Sequence, residues 1–425
     1  MVRSRAKTIK EYGPEIEEMV RTIRKWISET EPAPDNEKIL CKCEELFFKA
    51  DLSFRTGSQE AVIIINSMCR RLMSRYGILT ELLDDPRINE IMVNGPDSIY
   101  VEKERTLIKV DDAFTSCTEL EEMIRMFASD VHREINEANP IVDARLPSGY
   151  RVNGVLKNVA LNGPILTIRK FREKEIEMGE LVGCASITEE CAGDLAALVR
   201  SGYNIFISGG TSSGKTTFLN ALTAFIGSNE RVITIEDSAE LVISHIENKV
   251  QLECRAANSI GKGEVNMTQL IRTSLRMRPD RIIVGEVRGK EVIDMVQAMN
   301  TGHDGSMSTG HGNSIRGMLN RLETMYLSDS QVSLNSVRNQ IANAIDIFVH
   351  LKRDAKGRRR VVEVAEMTGF DGDRYMLNYL YKTGKDDVLV STGNGLVDRE
   401  RLIRSGYDSI LTGGSRPCTE RNKSD

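Results

Sequence analysis

Eight consecutive residues, Gly209-Gly210-Thr211-Ser212-Ser213-Gly214-Lys215-Thr216, fit the spacing G-x-x-x-x-G-K-[ST]. An apolar run, Ile205-Phe206-Ile207-Ser208, leads into them, and Thr216 to Leu222 reads as a helix leading out. This strand–loop–helix arrangement is what a phosphate loop needs. The glycines let backbone N–H groups fold round a phosphate, and the helix N-terminus adds partial positive charge. By chance, a chain of this length and glycine content meets the pattern about one or two times in a hundred. The flanks lower that figure, so residues Gly209–Thr217 are expected to hold a nucleoside triphosphate. Lys215 is expected at the β- and γ-phosphates, and the Thr216 hydroxyl at Mg²⁺.

A chain of 425 residues has room for two or three domains. Apolar residues make up 40% and charged residues 28%, as in a soluble globular protein. With 57 basic and 62 acidic residues the net charge is −5, which gives no global drive towards nucleic acid or an anionic membrane. No run of about 18 apolar residues occurs, so no integral membrane segment is expected. The basic start, Met1 to Lys7, lacks the apolar core of a secretory signal, which points to a cytoplasmic chain. The eight cysteines form no C-x-x-C pair and read as buried reduced thiols.

Residues 1–76 read as a helical extension. Its first helix is expected near Pro14, with Ile16, Met19, Val20, Ile23, Trp26 and Ile27 on one face. Further helices are expected over 36–49 and 59–76, the last with a stripe at Val62, Ile65, Cys69 and Leu72. Residues 77–171 read as an α+β domain, with strand-like runs at 90–94, 98–102, 151–155 and 165–169 and a helix over 119–127. The charged stretch 172–187 is expected to be an irregular hinge. From 188 to 412, strands alternate with helices, which implies a largely parallel sheet covered on both faces. An antiparallel edge is expected near Arg358-Arg359-Arg360, and the polar residues 413–425 read as a disordered tail.

Other segments add chemistry to the loop. Arg281-Ile-Ile-Val-Gly-Glu286 is an apolar strand ending in a carboxylate. In open α/β sheets ligands lie at the carboxyl ends of strands, so Glu286 is a candidate to orient or deprotonate an attacking water. Thr234-Ile-Glu236-Asp237 is a second strand ending in acids, suited to Mg²⁺ directly or through water. The plainer alternative is a helix N-cap at Asp237 or Ser238, with Glu240 in the first turn. His303 and His311 share one glycine-rich segment, where an imidazole could bond a γ-phosphate or where a loop merely packs its histidines. Arg145, Arg151 and Arg169 lie upstream as candidate cations for transition-state charge, against the alternative of solvated surface arginines.

Together these segments resemble the secretion-ATPase superfamily of type II and type IV secretion and type IV pilus systems. Its four boxes match in order: the phosphate loop at 209–216, an aspartate box at Glu236-Asp237, a Walker B strand ending at Glu286, and a histidine box over 303–313. Residues 88–96, 144–147, 167–171, 276–281 and 297–303 are most similar to the CpaF/TadA branch of tight-adherence pilus motors. The resemblance implies a homohexameric ring in which an N-terminal domain clamps nucleotide over a RecA-like domain. ATP turnover would then move an inner-membrane platform protein, with the ring at the inner face of the cytoplasmic membrane. It implies Lys215 and Thr216 at Mg-ATP, Asp237 near Mg²⁺, Glu286 as catalytic carboxylate, and Glu236 and His311 in support. Arg145, Arg151 and Arg169 match arginine-bearing segments of that N-terminal domain. A DNA translocase on the same fold is an alternative, although an acidic chain with 5% aromatics lacks the usual basic, aromatic channel, and no nucleic acid partner is expected. A non-catalytic nucleotide-binding scaffold is the other alternative; intact Lys215, Thr216 and Glu286 speak against it.

Overall fold

The computed structural model describes residues 4–50, 52–104, 106–170, 176–255, 257, 262–354, 357–384 and 387–413. The chain forms two compact units, residues 1–172 and 173–425. Most of the expected tail, the start of the expected hinge and Phe171 at the end of the expected α+β domain lie outside the described residues.

The first unit opens with helices Arg5–Glu11, Gly13–Glu29, Asn36–Lys49, Leu52–Arg55 and Ser58–Met73. The expected first helix is therefore preceded by a shorter, charged one. Ile16, Met19, Val20 and Ile23 are buried against Ile39, Cys43, Phe47, Ile64 and Met68, forming a core of their own. Asp35 caps the third helix by accepting from the Lys38 N–H. The stripe expected on the Ser58–Met73 helix is corrected in part: Val62 is exposed, and Ile64 and Met68 point inward instead. The helix uses a further side for Arg71. Its guanidinium is buried, lies 2.6 Å from Glu119, and donates to the Ala113 carbonyl at 2.9 Å. Removing one member of such a buried pair typically costs about 3–5 kcal/mol, so Arg71 fastens this helix to the helix Cys117–Asp130 and the loop before it.

That sheet contains β1 (Ile88–Asn94), β2 (Ile99–Lys103), β3 (Thr106–Lys109), β4 (Ile141–Arg145), β5 (Arg151–Val155) and β6 (Ile165–Arg169). The order is β3-β2-β1-β6-β5-β4, antiparallel throughout. The helix Cys117–Asp130 lays Leu120, Ile124, Phe127 and Ala128 on its inner face. Gly154 sits where this helix crosses β5; a Cβ there would lie 2.6 Å from the Ile124 side chain.

The second unit is built on β7 (Ile205–Gly209), β8 (Val232–Glu236), β9 (Lys249–Glu253), β10 (Arg281–Val287), β11 (Met307–His311), β12 (Ile347–Arg353), β13 (Arg359–Phe370), β14 (Tyr375–Thr383) and β15 (Leu389–Ser391). Their order is β15-β14-β13-β12-β7-β11-β10-β8-β9. From β12 to β9 the pairing is parallel; β13, β14 and β15 add antiparallel strands at one edge. Ile205 and Ile207 of β7 face one core, with Phe218, Leu219 and Leu222, while Phe206 faces the other, with Met318 and Leu322. Central strands covered on both faces read as continuous apolar runs, which is why β7, β8 and β10 were legible.

Two expectations for this unit are corrected. The stretch expected to be irregular carries a helix, Met178–Gly183, whose Met178 enters the core. The glycine-rich histidine segment is not simply a loop, because its second half is the central strand β11. Gly310 is there for packing: a Cβ would come within 2.9 Å of Phe206 and Met318. Among the seven described cysteines, all free thiols, Cys41 and Cys184 are exposed, so the expectation of buried thiols holds only in part.

Candidate nucleotide-binding site

The carboxyl ends of β7, β8, β10, β11 and β12 face the same edge of the parallel sheet, where open α/β folds hold ligands. Gly209 ends β7 with His311 of β11 beside it on one flank and Leu351 of β12 on the other. A Cβ on Gly209 would lie 2.7 Å from the Leu351 carbonyl, so only glycine fits. Gly214, at φ +92°, takes the left-handed turn that starts the helix Lys215–Thr223. No side chain caps that helix, so its first N–H groups face the loop. The Ser213 hydroxyl is buried, with no hydrogen-bond partner among the described residues. A buried orphan donor inside a cradle that excludes a Cβ fits a phosphate oxygen.

Lys215 is buried at the start of this helix. Its ammonium donates to the Gly210 carbonyl at 3.3 Å and to His311 Nδ1 at 3.2 Å. Because an ammonium only donates, Nδ1 must accept, and the neutral ring then carries its proton on Nε2. That Nε2 lies 2.9 Å from Glu286 Oε1. Arg288 Nε lies 3.2 Å from the same oxygen. These nitrogens are close but poorly aligned, since Oε1 is buried and accepts no hydrogen bond among the described residues. Its acceptor capacity is thus unfilled among the described residues. Lys215 at the helix start, His311 at the end of β11 and Glu286 near the end of β10 lie in one continuous polar row.

Burial and the Lys215 charge push the His311 pKa below its ordinary value, although Glu286 pulls the other way. Burial likewise lowers the pKa of Lys215, opposed by Glu286. The folded protein therefore holds the His311 proton less tightly than an unfolded chain does. Stability is unaffected above about pH 6.5 and declines as acid protonates the unfolded chain first. NMR titration is expected to find His311 protonating below 6.5. A value at or above it contradicts the pairing with Lys215.

Glu236 ends β8 and is buried. Its carboxylate accepts from the Glu240 N–H at 2.8 Å and the Leu241 N–H at 3.1 Å. No helix follows it, so the N-cap alternative is corrected: the acid closes a loop rather than starting a helix. Asp237 is exposed, with Arg288 at 3.5 Å. Thr216 and Thr217 occupy the first turn of the phosphate-loop helix, half-buried. His303 is separated from His311 by the length of β11; its Nδ1 faces the Ala298 carbonyl at 3.1 Å, at the end of the helix Val292–Asn300. It caps that helix, as the packing alternative held.

Arg145, Arg151 and Arg169 belong to the first unit, where they form a row. Arg145 pairs with Arg151 across β4–β5, and Arg151 with Arg169 across β5–β6. Asp143 holds Arg151 at 2.9 Å, and Arg145 donates to the Gly149 carbonyl at 3.3 Å.

Two residues at the loop escaped sequence reading. Arg288 follows Glu286 by two positions on β10's end, a spacing that puts both on one side of a strand. Arg359, taken only as part of an edge strand, donates from Nε to the Ser212 carbonyl at 3.1 Å. No local pattern joins positions so far apart in sequence. Among the described residues, no group of three or more His, Cys, Asp or Glu is arranged as a metal cage, and no helix is long and apolar enough to cross a membrane.

Known proteins share this organisation. The family described as "Type II/IV secretion system protein" matches residues 74–420. Conjugal transfer protein TrbB of Rhizobium radiobacter is 33% identical over 327 residues, covering 75% of this chain and 96% of that protein. Type IV secretion system protein PtlH of Bordetella pertussis is 31% identical over 303 residues, 65% of this chain and 89% of that one. In fold, the chain is similar to the ATPase DotB of Legionella pneumophila (TM-score 0.51, 23% identity, 70% of this chain and 81% of that one). It is also similar to the pilus retraction motor PilT with bound ADP (TM-score 0.50, 18% identity, 77% and 86%). A RecA-like α/β unit preceded by an α+β region and N-terminal helices, together with a family match over most of its length, identifies this chain as a member of the type II/IV secretion system protein family.

Proposed function

We propose that this chain is an ATP-hydrolysing motor that powers tight-adherence (type IV) pilus assembly or type II/IV protein secretion. The chain Lys215–His311–Glu286 at the phosphate loop carries the reading. The loop amides and Lys215 would hold the β- and γ-phosphates, and Ser213 Oγ would gain the partner it lacks. Thr216 would hold Mg²⁺, with Asp237 reaching it directly or through water. The ion, when bound, neutralises charge that develops on the phosphates. Glu286 orients a water and takes its proton as the oxygen attacks the γ-phosphorus. The bond to the bridging oxygen breaks, leaving ADP and inorganic phosphate. His311, kept neutral, holds Lys215 and Glu286 at fixed separation without adding charge between them. Glu236 keeps the loop after β8 in place.

In this reading the domains follow the boundaries 76, 171, 187 and 412. Six copies form a ring, and the arginine row of one N-terminal domain supplies a cation to nucleotide. The ring works on an inner-membrane platform protein at the inner face of the cytoplasmic membrane. Relatives named for conjugal transfer favour, as a second reading, service in a conjugation apparatus. The test is phosphate release by the purified full chain with Mg²⁺ and ATP, alongside mass measurement of its assemblies. Release and a six-subunit species are expected. A folded protein that binds ATP without releasing phosphate, or that stays monomeric throughout, overturns the reading.

A further inference from the structure

His350 is a buried polar residue in an otherwise apolar strand, Ile347-Phe-Val-His350-Leu351. It pairs across β12–β7 with Ser208, the residue just before the phosphate loop. The two side chains meet directly, with His350 Nδ1 2.8 Å from Ser208 Oγ. Both are buried, Ser208 completely. In the sheet β7 lies between β12 and β11. On the β11 side, the residue after Ser208 is tied to the turn that carries His311, the Gly312 N–H donating to the Gly209 carbonyl at 3.2 Å.

We propose that His350 is a positioning residue that anchors Ser208, whose neighbour Gly209 holds the turn carrying His311, and so keeps His311 between Lys215 and Glu286. The proposal rests on the ATPase reading above. Burial and nearby Lys352 lower the pKa of His350, against the Asn313 and Ser208 backbones, which raise it. The ring is thus neutral near pH 7, with one donor and one acceptor nitrogen. That suits it to hold the Ser208 hydroxyl, which no aliphatic side chain can do. An apolar residue at 350 would fit the strand but remove this bond at the entry to the phosphate loop. Displacing a catalytic constellation by about 1 Å costs as much as a hundredfold in rate, so a tie of this kind acts on turnover.

The experiment compares His350→Leu, His350→Gln and Ser208→Ala in the full chain. His350→Leu is expected to lower kcat about tenfold or more while KM for ATP stays within about twofold, because the loop and Lys215 are untouched. Glutamine, which both donates and accepts, is expected to restore most of kcat, and Ser208→Ala to lower it in the same direction. In His350→Leu the His311 ring, read by NMR, is expected to titrate closer to its ordinary value. Wild-type kcat in His350→Leu, or loss of kcat and KM together with no rescue by glutamine, overturns the proposal. If His350→Leu does not fold, the glutamine and Ser208→Ala variants decide by the same criteria. If the wild-type chain releases no phosphate, the ATPase reading fails, and the His311 titration still tests the tie: an unmoved value refutes it and a shifted value supports it.

Discussion

Lys215→Ala is expected to abolish ATP binding. The ammonium sits at the start of the phosphate-loop helix, and its bonds to Gly210 and His311 aim it across the loop. Bonds from a charged donor contribute about 1.5–3 kcal/mol each, and a lysine spanning two phosphates makes more than one. A loss of affinity of about a hundredfold or greater follows. The fold should survive, because alanine suits a helix start and the cores on either side of the sheet are untouched. His311 should change as well: without the neighbouring charge, one cause of its lowered pKa disappears. Titration calorimetry with ATP and Mg²⁺ checks the first effect and NMR the second. A dissociation constant within about threefold of wild type would contradict the assignment of Lys215.

Glu286→Gln is expected to bind ATP at least as well as the wild type and to turn it over barely at all. The amide matches the carboxylate in shape, so the polar chain to His311 and Arg288 keeps its geometry. It also removes a negative charge from beside the phosphates, which favours binding. What it cannot do is take a proton from water. Loss of a positioned general base typically costs about 10²–10⁴ in rate. The effect should fall on kcat, as it does when an interaction made only in the transition state is lost. Replacing His311 should cost less, since that residue acts through its neighbours.

What the sequence revealed depended on whether the deciding interaction was local. The phosphate loop was legible because glycine at 209 and 214 answers a backbone demand within eight residues. β7, β8 and β10 were legible because strands covered on both faces must be apolar. β11 was hidden, since Ser308, Thr309 and Gly310 are small or polar, with Gly310 packed closely against Phe206 and Met318, and they read as a turn. That also concealed which histidine mattered: spacing alone did not show that His303 and His311 lie a strand apart. Arg359 and His350 reach the site through tertiary contacts with partners in other elements, which no local pattern encodes. The helix Arg5–Glu11 was missed because only Thr8 and Ile9 are buried within it, too few for a stripe. The arginine row was half legible. The three residues could be named, but their alignment across β4, β5 and β6 emerged only from the register.

The central claim is that Glu286 performs hydrolysis on nucleotide held by Lys215. It is tested most directly by measuring bound ATP and released phosphate together, on wild type and Glu286→Gln from matched preparations. The account predicts equal or tighter binding by the variant, with phosphate release reduced about a hundredfold or more. Release by Glu286→Gln at the wild-type rate would contradict it.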